Sequence, residues 1–396
     1  MSIIIIIFLS IISTVIYRKF HTIFHPGFIT STIWLVLVCS YNVFNHGLYD
    51  VSNRLYISIY LWVSTFCLSS YIFSIAKLPT LNYCYNNKIT WIWTTNKMFL
   101  CYIGLLLLLI IVQYNIGTEI NTGNAIAGMR DALTDETTTM PLSQRILSRF
   151  EVIIHVIFFG VILTENKKKI KKWLILGILL FIYTCLLGTK GKILELFITL
   201  VYILSHKKKI KWSHIIIIAC LVLLLLASMS LVRDDVEEIA FLELIVIYTL
   251  SPLTAFDQVL NFGNFIPTYN GVYTFKRIYD VLLPGTLASN YGNAVTGWIM
   301  VPLPTNVYTI MYNYYLDFGM WGIGFMGCLM GTMWGIIYNY VRKHILSFVL
   351  MYSLMCYTLI FQFFGDWFFN MLSLSIQVIM YSIIIFLRFR LWRKKF

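Results

Sequence analysis

The sequence predicts an all-α, polytopic integral membrane protein. Of its 396 residues, 59% are hydrophobic and 12% are charged, whereas a soluble domain has about 25% charged residues. Charge this sparse could not cover the surface of a water-soluble protein of this size. The net charge is +13, but the basic residues form short clusters between apolar runs. That pattern is typical of membrane topology and argues against a nucleic-acid partner.

Apolar runs divide the chain into membrane spans, each of which needs about 20 apolar residues, or fewer where polar ends reach the interface. We predict about eleven transmembrane helices in a single transmembrane domain over residues 1–396. The ninth run is too long for one simple span, so its first part can lie in the outer interface. The predicted spans are 2–16, 27–45, 55–76, 98–114, 147–164, 173–187, 193–205, 213–232, 308–340, 345–363 and 368–387.

The distribution of basic residues predicts an outside N-terminus and an inside C-terminus. With eleven spans, the lysine clusters 167–169 and 207–209 fall on the same side as the basic C-terminal tail. Basic residues favour the cytoplasmic side of a membrane protein. Arg18 and Lys19 follow the first apolar run rather than precede it, which indicates an anchor helix instead of a cleavable signal peptide.

Two larger outer loops follow from this topology, one over 115–146 and one over 233–307. The second contains the apolar stretch 239–256, for which we expect an interfacial or re-entrant helix with Glu243 on its wet face. A further span there would move Arg342 and the basic tail to the outside. No pair of cysteines has metal-ligand spacing, so we predict no metal site and no cofactor.

The segment 173–205 is the most informative part of the chain. As one helix it would be ~50 Å long, against a ~30 Å hydrocarbon core, and it would separate the lysine clusters. As a hairpin it has short arms, so the turn around Gly188 should lie below the outer surface. A cation at that depth needs a partner. Lys190 and Lys192 therefore either meet an anionic group in an outward-open cavity, or reach the interface or pair with Glu195.

Further candidate residues lie on the predicted outer side. Arg277 can bind phosphate oxygens or form a salt bridge with Asp280, and Arg130 can bind an anion or belong to a solvated loop. Arg233 follows a long apolar span, at the level of the lipid headgroups. Asp317 can serve as a base or as a favourable anion at a helix N-terminus.

Three stretches resemble one protein family: LLGTKGKILEL, GVYTFKRIYDVLLPG and TNVYTIMYNYYLDFGMWGIGFMG. The chain is similar to bacterial oligosaccharide repeat-unit polymerases, the Wzy-type O-antigen polymerases, and its hydropathy profile resembles theirs over nearly the whole length. The resemblance implies an enzyme of lipopolysaccharide biosynthesis in the bacterial cytoplasmic (inner) membrane. It implies a polyprenyl-pyrophosphate-linked oligosaccharide and membrane lipid as partners, and it allows a chain-length regulator.

The reaction implied by the resemblance transfers a growing glycan from polyprenyl pyrophosphate to the non-reducing sugar of an incoming lipid-linked repeat unit. Cations would stabilise charge on the leaving pyrophosphate, and a carboxylate would take the proton of the acceptor hydroxyl. The candidate cations are Lys190, Lys192, Arg233, Arg277 and Arg130. The candidate bases are Asp280, Asp317 and Glu195.

Three rival functions fit the sequence less well. A lipid-linked oligosaccharide flippase would be expected to show repeated halves, and none is visible. O-antigen ligases have a similar architecture with a functional histidine in the large outer loop, whereas all seven histidines lie elsewhere. Glycosyltransferases that use polyprenyl monophosphate sugars commonly have acidic residues in the first outer loop, which here contains only Asp50.

Overall fold

In the residues that the computed structural model describes, α-helices predominate and there is almost no β-sheet. These residues are 1–44, 46–79, 81, 88–134, 142–165, 167–207, 241–261, 267–282, 298–302 and 304–387. The helices are α1 (Ser2–Phe20), α2 (Pro26–Val43), α3 (Asn53–Ile75), α4 (Asn96–Ile120), α5 (Ala125–Thr134), α6 (Leu142–Thr164), α7 (Lys167–Leu186), α8 (Lys190–His206), α9 (Phe241–Asn261), α10 (Lys276–Leu282), α11 (Met311–Arg342), α12 (Leu346–Ile360) and α13 (Leu372–Ile384).

The non-helical elements are short. Trp91–Thr94 and Phe361–Phe363 form 3₁₀ turns, and the strands β1 (Ile299–Met300) and β2 (Pro304–Thr305) form one small antiparallel pair. Capping side chains account for several helix starts. Ser52 accepts a hydrogen bond from the backbone N–H of Arg54 at the start of α3, and Thr95 accepts one from Met98 at the start of α4. Such oxygens satisfy N–H groups that have no partner within the helix.

The chain is a multi-pass membrane protein by the length and composition of its helices. Among the described residues, seven helices are long and apolar enough to cross a membrane: α1, α2, α3, α4, the Ile146–Thr164 part of α6, α11, and Leu346–Phe363, which extends α12. The predicted span 213–232 lies outside the described residues. The count of eleven spans and the orientation of the chain stay predictions.

The helices group into two compact units. Unit 1 comprises Met1–Leu78, Glu238–Arg342 and Thr358–Ser375. Unit 2 comprises Pro79–Glu237, Lys343–Tyr357 and Ile376–Phe396. Each unit therefore draws on segments that are far apart in the sequence.

The principal helix pair of unit 1 is α3 with α11. Three glycines spaced four residues apart, Gly327, Gly331 and Gly335, face α3. A Cβ atom at Gly331 would overlap Ser69 Oγ and the Phe66 carbonyl oxygen. Glycine at this spacing lets two helix backbones approach closely, as is common between membrane helices.

The helix α11 is divided by Gly319, which has φ 64° and ψ −156°. Glycine adopts a positive φ without the steric cost that a side chain would add. The segment Met311–Phe318 therefore ends at Gly319, and a second helical segment continues to Arg342. The sequence predicted that this apolar run was too long for one simple span, and the kink gives the physical division.

In unit 2, α4 and α5 form a tight helical hairpin. A Cβ atom at Gly117 would overlap the Ala125 carbonyl oxygen, and one at Gly128 would overlap the Gly117 carbonyl oxygen. The turn between the helices is held by Asn121, whose side-chain oxygen accepts hydrogen bonds from the N–H groups of Gly123 and Asn124 at 3.1 Å each. The predicted 115–146 outer loop includes the end of α4, all of α5 and the start of α6, so much of it is helical.

Candidate functional site

In unit 1, a loop encloses the carboxylate of Asp317 and donates three hydrogen bonds to it. Asp317 is fully buried. Its Oδ1 accepts hydrogen bonds from Thr268 Oγ1 at 2.9 Å and from the Tyr273 N–H at 3.2 Å, and its Oδ2 accepts one from the Thr274 N–H at 2.6 Å. We call residues 267–275 the Asp317 loop. Its first part is also held by main-chain bonds, since the Tyr269 N–H donates to the Asp317 carbonyl at 2.7 Å.

The Asp317 loop leads directly into α10, which carries the predicted pyrophosphate ligand Arg277. Arg277 is exposed, and its Nε donates to the carbonyl oxygen of Asn370 at 3.3 Å. The side chain of Asn370 accepts a further hydrogen bond from Asn313 Nδ2 at 3.2 Å. The Asn370 carbonyl therefore helps to position Arg277. Asp280 lies one helical turn later, and its side chain lies outside the described part of the structure.

The turn that presents Asn370 is organised by a second buried carboxylate, Asp366. Its Oδ1 accepts the N–H groups of Phe368 and Phe369 at 3.1 and 3.0 Å, and its Oδ2 accepts the Tyr314 hydroxyl at 2.6 Å. Burial raises the pKa of the Asp366 carboxyl to about 6, although these hydrogen bonds to the charged form oppose the shift. Asp366 also lines a cavity of about 10 Å³ with Gln362, which is room for about one water molecule.

Unit 2 contains a cluster of ionisable side chains on α6 and α8. Lys192 Nζ lies 3.1 Å from Glu195 Oε2, and His155 Nδ1 lies 3.3 Å from Glu151 Oε1. Lys192 also interacts electrostatically with Glu151. Charges in a membrane protein interior require partners, and Lys192 obtains them from two carboxylates. For Lys192 the structure therefore shows the pairing with Glu195 that the sequence left as an alternative.

The turn before α8 packs against α5, the helix that carries Arg130. Gly188 has φ +63°, and a Cβ atom there would lie 3.0 Å from the Ile126 carbonyl oxygen and 3.2 Å from Arg130 Cβ. A larger residue would thus be both strained and crowded. The structure brings the Gly188 turn and Arg130 together, two regions that the sequence placed in the same functional class. The side chain of Lys190 lies outside the described residues.

The predicted site residues thus fall into groups. Arg277 and Asp317 lie in unit 1, where the Asp317 loop leads directly into the helix of Arg277. In unit 2 lie Lys192, Glu195 and Arg130. Arg233 lies outside the described residues. Sequence reasoning did not single out Asp366, Asn370, Glu151 or His155, because no motif marks them.

Comparison with known proteins identifies the family. The family model described as "Putative O-antigen polymerase" matches residues 1–362 of the 396-residue chain. The chain belongs to the O-antigen polymerase family. Membership confirms the resemblance seen in the sequence, and it assigns the chain a role in O-antigen polymerisation within polysaccharide biosynthesis.

Family membership also indicates the class of enzyme and the class of substrate. An O-antigen polymerase is a glycosyltransferase-like enzyme and acts on a lipid-linked oligosaccharide. No curated protein matches the chain, and no solved structure does. The family therefore supplies the general reaction, while the roles of individual residues must be argued from the structure.

Proposed function

We propose that this protein joins polyprenyl-pyrophosphate-linked oligosaccharide repeat units into O-antigen or a similar surface polysaccharide, on the outer face of the bacterial cytoplasmic membrane. The family match over residues 1–362 carries this proposal. The acceptor hydroxyl attacks the anomeric carbon of the donor glycan and loses its proton to a base. The bond between that carbon and the pyrophosphate oxygen breaks, and polyprenyl pyrophosphate leaves with the bonding electrons.

Arg277 is the residue we propose for stabilising the leaving pyrophosphate. An arginine presents several N–H donors in a planar fork that matches phosphate oxygens. Its Nε–H donates to the Asn370 carbonyl, which helps to hold the side chain in place, and the residue is exposed. A group held in position in advance stabilises developing charge without needing to reorganise during the reaction.

Asp280 is the carboxylate we favour as the base. The two oxygens of Asp317 accept hydrogen bonds from the Asp317 loop, and Glu195 is paired with Lys192. Taking a proton would weaken those interactions, so Asp317 and Glu195 are less suited to the role. The other candidate cations are Lys190, Lys192, Arg130 and Arg233. An alanine substitution of each can be tested by its effect on the glycan ladder.

The proposed reaction is tested by disrupting the gene and separating the surface glycan on a gel. Loss of the long-chain ladder, with a single repeat unit retained on the lipid core, is the expected result. Loss of every repeat unit would point instead to a flippase or a ligase. An unchanged ladder would rule out the polymerase function in those cells.

The role of Arg277 is tested in the deletion cells with plasmid-borne variants. We expect Arg277→Ala to abolish or strongly shorten the ladder, and Arg277→Lys to restore it only in part, because lysine lacks the planar fork. Lys276→Ala is the matched control, since it removes the neighbouring positive charge from the same helix. Full-length ladders from Arg277→Ala at normal protein levels would remove Arg277 from the site.

A further inference from the structure

The Asp317 loop holds one residue in an unfavourable backbone conformation. Tyr269 has φ 55°, in the left-handed region that glycine and asparagine adopt readily and bulky residues avoid. Non-glycine residues in such conformations persist only where surrounding contacts impose them, and they are concentrated at functional sites. The conformation of Tyr269 therefore requires an explanation beyond local turn geometry.

The contacts that impose this conformation come from both sides of Tyr269. Its own N–H donates to the Asp317 carbonyl at 2.7 Å, and the Thr268 N–H donates to the Leu316 carbonyl at 3.1 Å. The carbonyl oxygen of Asn270 accepts a hydrogen bond from the Tyr279 hydroxyl at 2.6 Å. The backbone on each side of Tyr269 is thus fixed, and the loop has little freedom to relax.

The side chain of Tyr269 gains little from this arrangement in the protein itself. The residue is 70% exposed, so burial of its ring does not compensate for the backbone strain. The hydrogen bond from the Tyr279 hydroxyl to the Asn270 carbonyl joins the loop to α10, two residues beyond Arg277. An exposed aromatic ring on a fixed backbone therefore lies in a loop that is hydrogen-bonded to the helix of Arg277, the residue that we propose binds pyrophosphate.

We propose that Tyr269 is a carbohydrate-stacking residue, held by the Asp317 loop so that its ring packs against a pyranose of the lipid-linked oligosaccharide. This inference rests on the proposed function. The face of a pyranose presents C–H groups that pack on the flat apolar surface of an aromatic ring, while the tyrosine hydroxyl stays in water. A ring whose backbone is fixed before binding loses less conformational entropy when the sugar arrives.

Three substitutions separate the ring from the backbone strain. Tyr269→Phe keeps both, Tyr269→Ala keeps the strain and loses the ring, and Tyr269→Gly loses both. The substrate is the lipid-linked repeat unit extracted from the deletion cells, and the measurements are kcat, KM and the thermal unfolding midpoint in detergent. We expect a KM near that of the wild type for Phe, and a KM roughly tenfold higher for Ala and Gly.

Stability provides the second measurement. The Gly variant should unfold at the same temperature as the Ala variant or a higher one, because glycine accepts a positive φ. A lower midpoint for Gly than for Ala would show that the backbone is not strained in the protein. A control, Trp321→Ala, removes another exposed aromatic, 91% exposed, from a helical position in α11, and it should leave KM unchanged.

The outcomes distinguish this inference from the function on which it rests. If a wild-type gene fails to restore the ladder in the deletion cells, the proposed function is wrong. If the wild type restores it and Tyr269→Ala has the KM of the wild type, the stacking role alone is wrong. An unchanged KM with a lower unfolding temperature would identify Tyr269 as an aromatic anchor in the membrane interface and would also overturn the inference.

Discussion

Arg277 connects two loops, and each of them is organised by a buried carboxylate. Asp317 accepts hydrogen bonds from the segment that precedes α10, and Asp366 accepts them from the turn that presents Asn370. A carboxylate that accepts backbone N–H groups fixes the local path of the chain, because a buried N–H without a partner costs free energy. The orientation of an exposed arginine therefore depends on two buried carboxylates.

The anchoring role of Asp317 predicts a loss of stability when its carboxylate is removed. Asp317→Ala leaves a threonine hydroxyl and the N–H groups of Tyr273 and Thr274 without their acceptor, so we expect the protein to lose at least about 2 kcal/mol of stability. Thermal unfolding in detergent measures this, with the exposed Asp50→Ala as control. An unfolding temperature like that of the wild type, together with a lost ladder, would support the role of base instead.

The raised pKa of Asp366 predicts a specific pH dependence of stability. The folded state holds the proton up to about pH 6, whereas an unfolded aspartic acid releases it near pH 4. The contribution of Asp366 to stability is therefore fully present below about pH 4 and is lost as the pH rises to 6, by on the order of 3 kcal/mol. Asp366→Asn, which cannot ionise, should lack this loss. Unfolding midpoints that run parallel with pH for both proteins would contradict the assignment.

At the scale of residues, charge and position in the sequence left two roles open for the candidate carboxylates Asp317 and Glu195, one catalytic and one structural. Asp317 and Glu195 were selected because carboxylates on the predicted outer side can accept protons. The partner of Glu195 lies in the preceding turn of the same helix, whereas the partners of Asp317 come from the distant 268–274 segment. A partner three residues away, such as Lys192, is visible in the sequence, but one more than forty residues away is not.

At the scale of helices, the glycines of α11 predict a steep cost for added volume. A Cβ atom at Gly331 would overlap both the Ser69 hydroxyl and the Phe66 carbonyl, and backbone cannot move aside as a flexible side chain can. We expect Gly331→Ala to destabilise the protein by about 1–3 kcal/mol through overpacking.

The matched control for this prediction lies on the same helix. A Cβ atom at Gly324 would lie 3.8 Å from Thr65 Cγ2, which is an ordinary contact. Gly324→Ala should therefore be neutral or slightly stabilising, because alanine has the higher helix propensity. Equal unfolding temperatures for the two variants would show that the α3–α11 pair is more loosely packed than described.

The positions of helices were predictable because apolar runs are long compared with their polar connections. Ten of the predicted spans correspond to helices or parts of helices, from α1 to α13, and the predicted helix near 239–256 corresponds to α9 (Phe241–Asn261). The helix α5 was not predicted, since its ten residues lie in a polar loop and include both a glycine and charged side chains. Its helical state depends on close packing against α4, which the sequence pattern does not reveal.

At the scale of the whole molecule, the predicted orientation has a direct test. A reporter that is active only outside the cytoplasm should be active when fused after Gly123, in the predicted outer loop. A reporter that is active only in the cytosol should be active after His21, between α1 and α2. The reverse pattern would invert the topology and place the Asp317 loop and Arg277 on the side without lipid-linked acceptor.

The general function was accessible from the whole sequence, while the site was accessible only in part. Hydropathy and three degenerate motifs led to the same family that the match over residues 1–362 establishes. Those features are spread over the chain, and they can be recognised without knowing which residues are in contact. The loop around Asp317 and the turn around Asp366 depend on backbone hydrogen bonds between distant segments, which leave no regular pattern in the residue order.

The close approach of α3 and α11 has a consequence for how this chain can evolve. Every single-nucleotide change in a glycine codon that alters the amino acid adds at least a Cβ atom. At Gly327 that atom would overlap the Thr65 hydroxyl, so a larger residue becomes acceptable there only after the threonine has been replaced by something shorter. Substitutions along this helix pair are therefore constrained in their order, and the same change in α11 can disrupt the helix pair in one lineage and be tolerated in another.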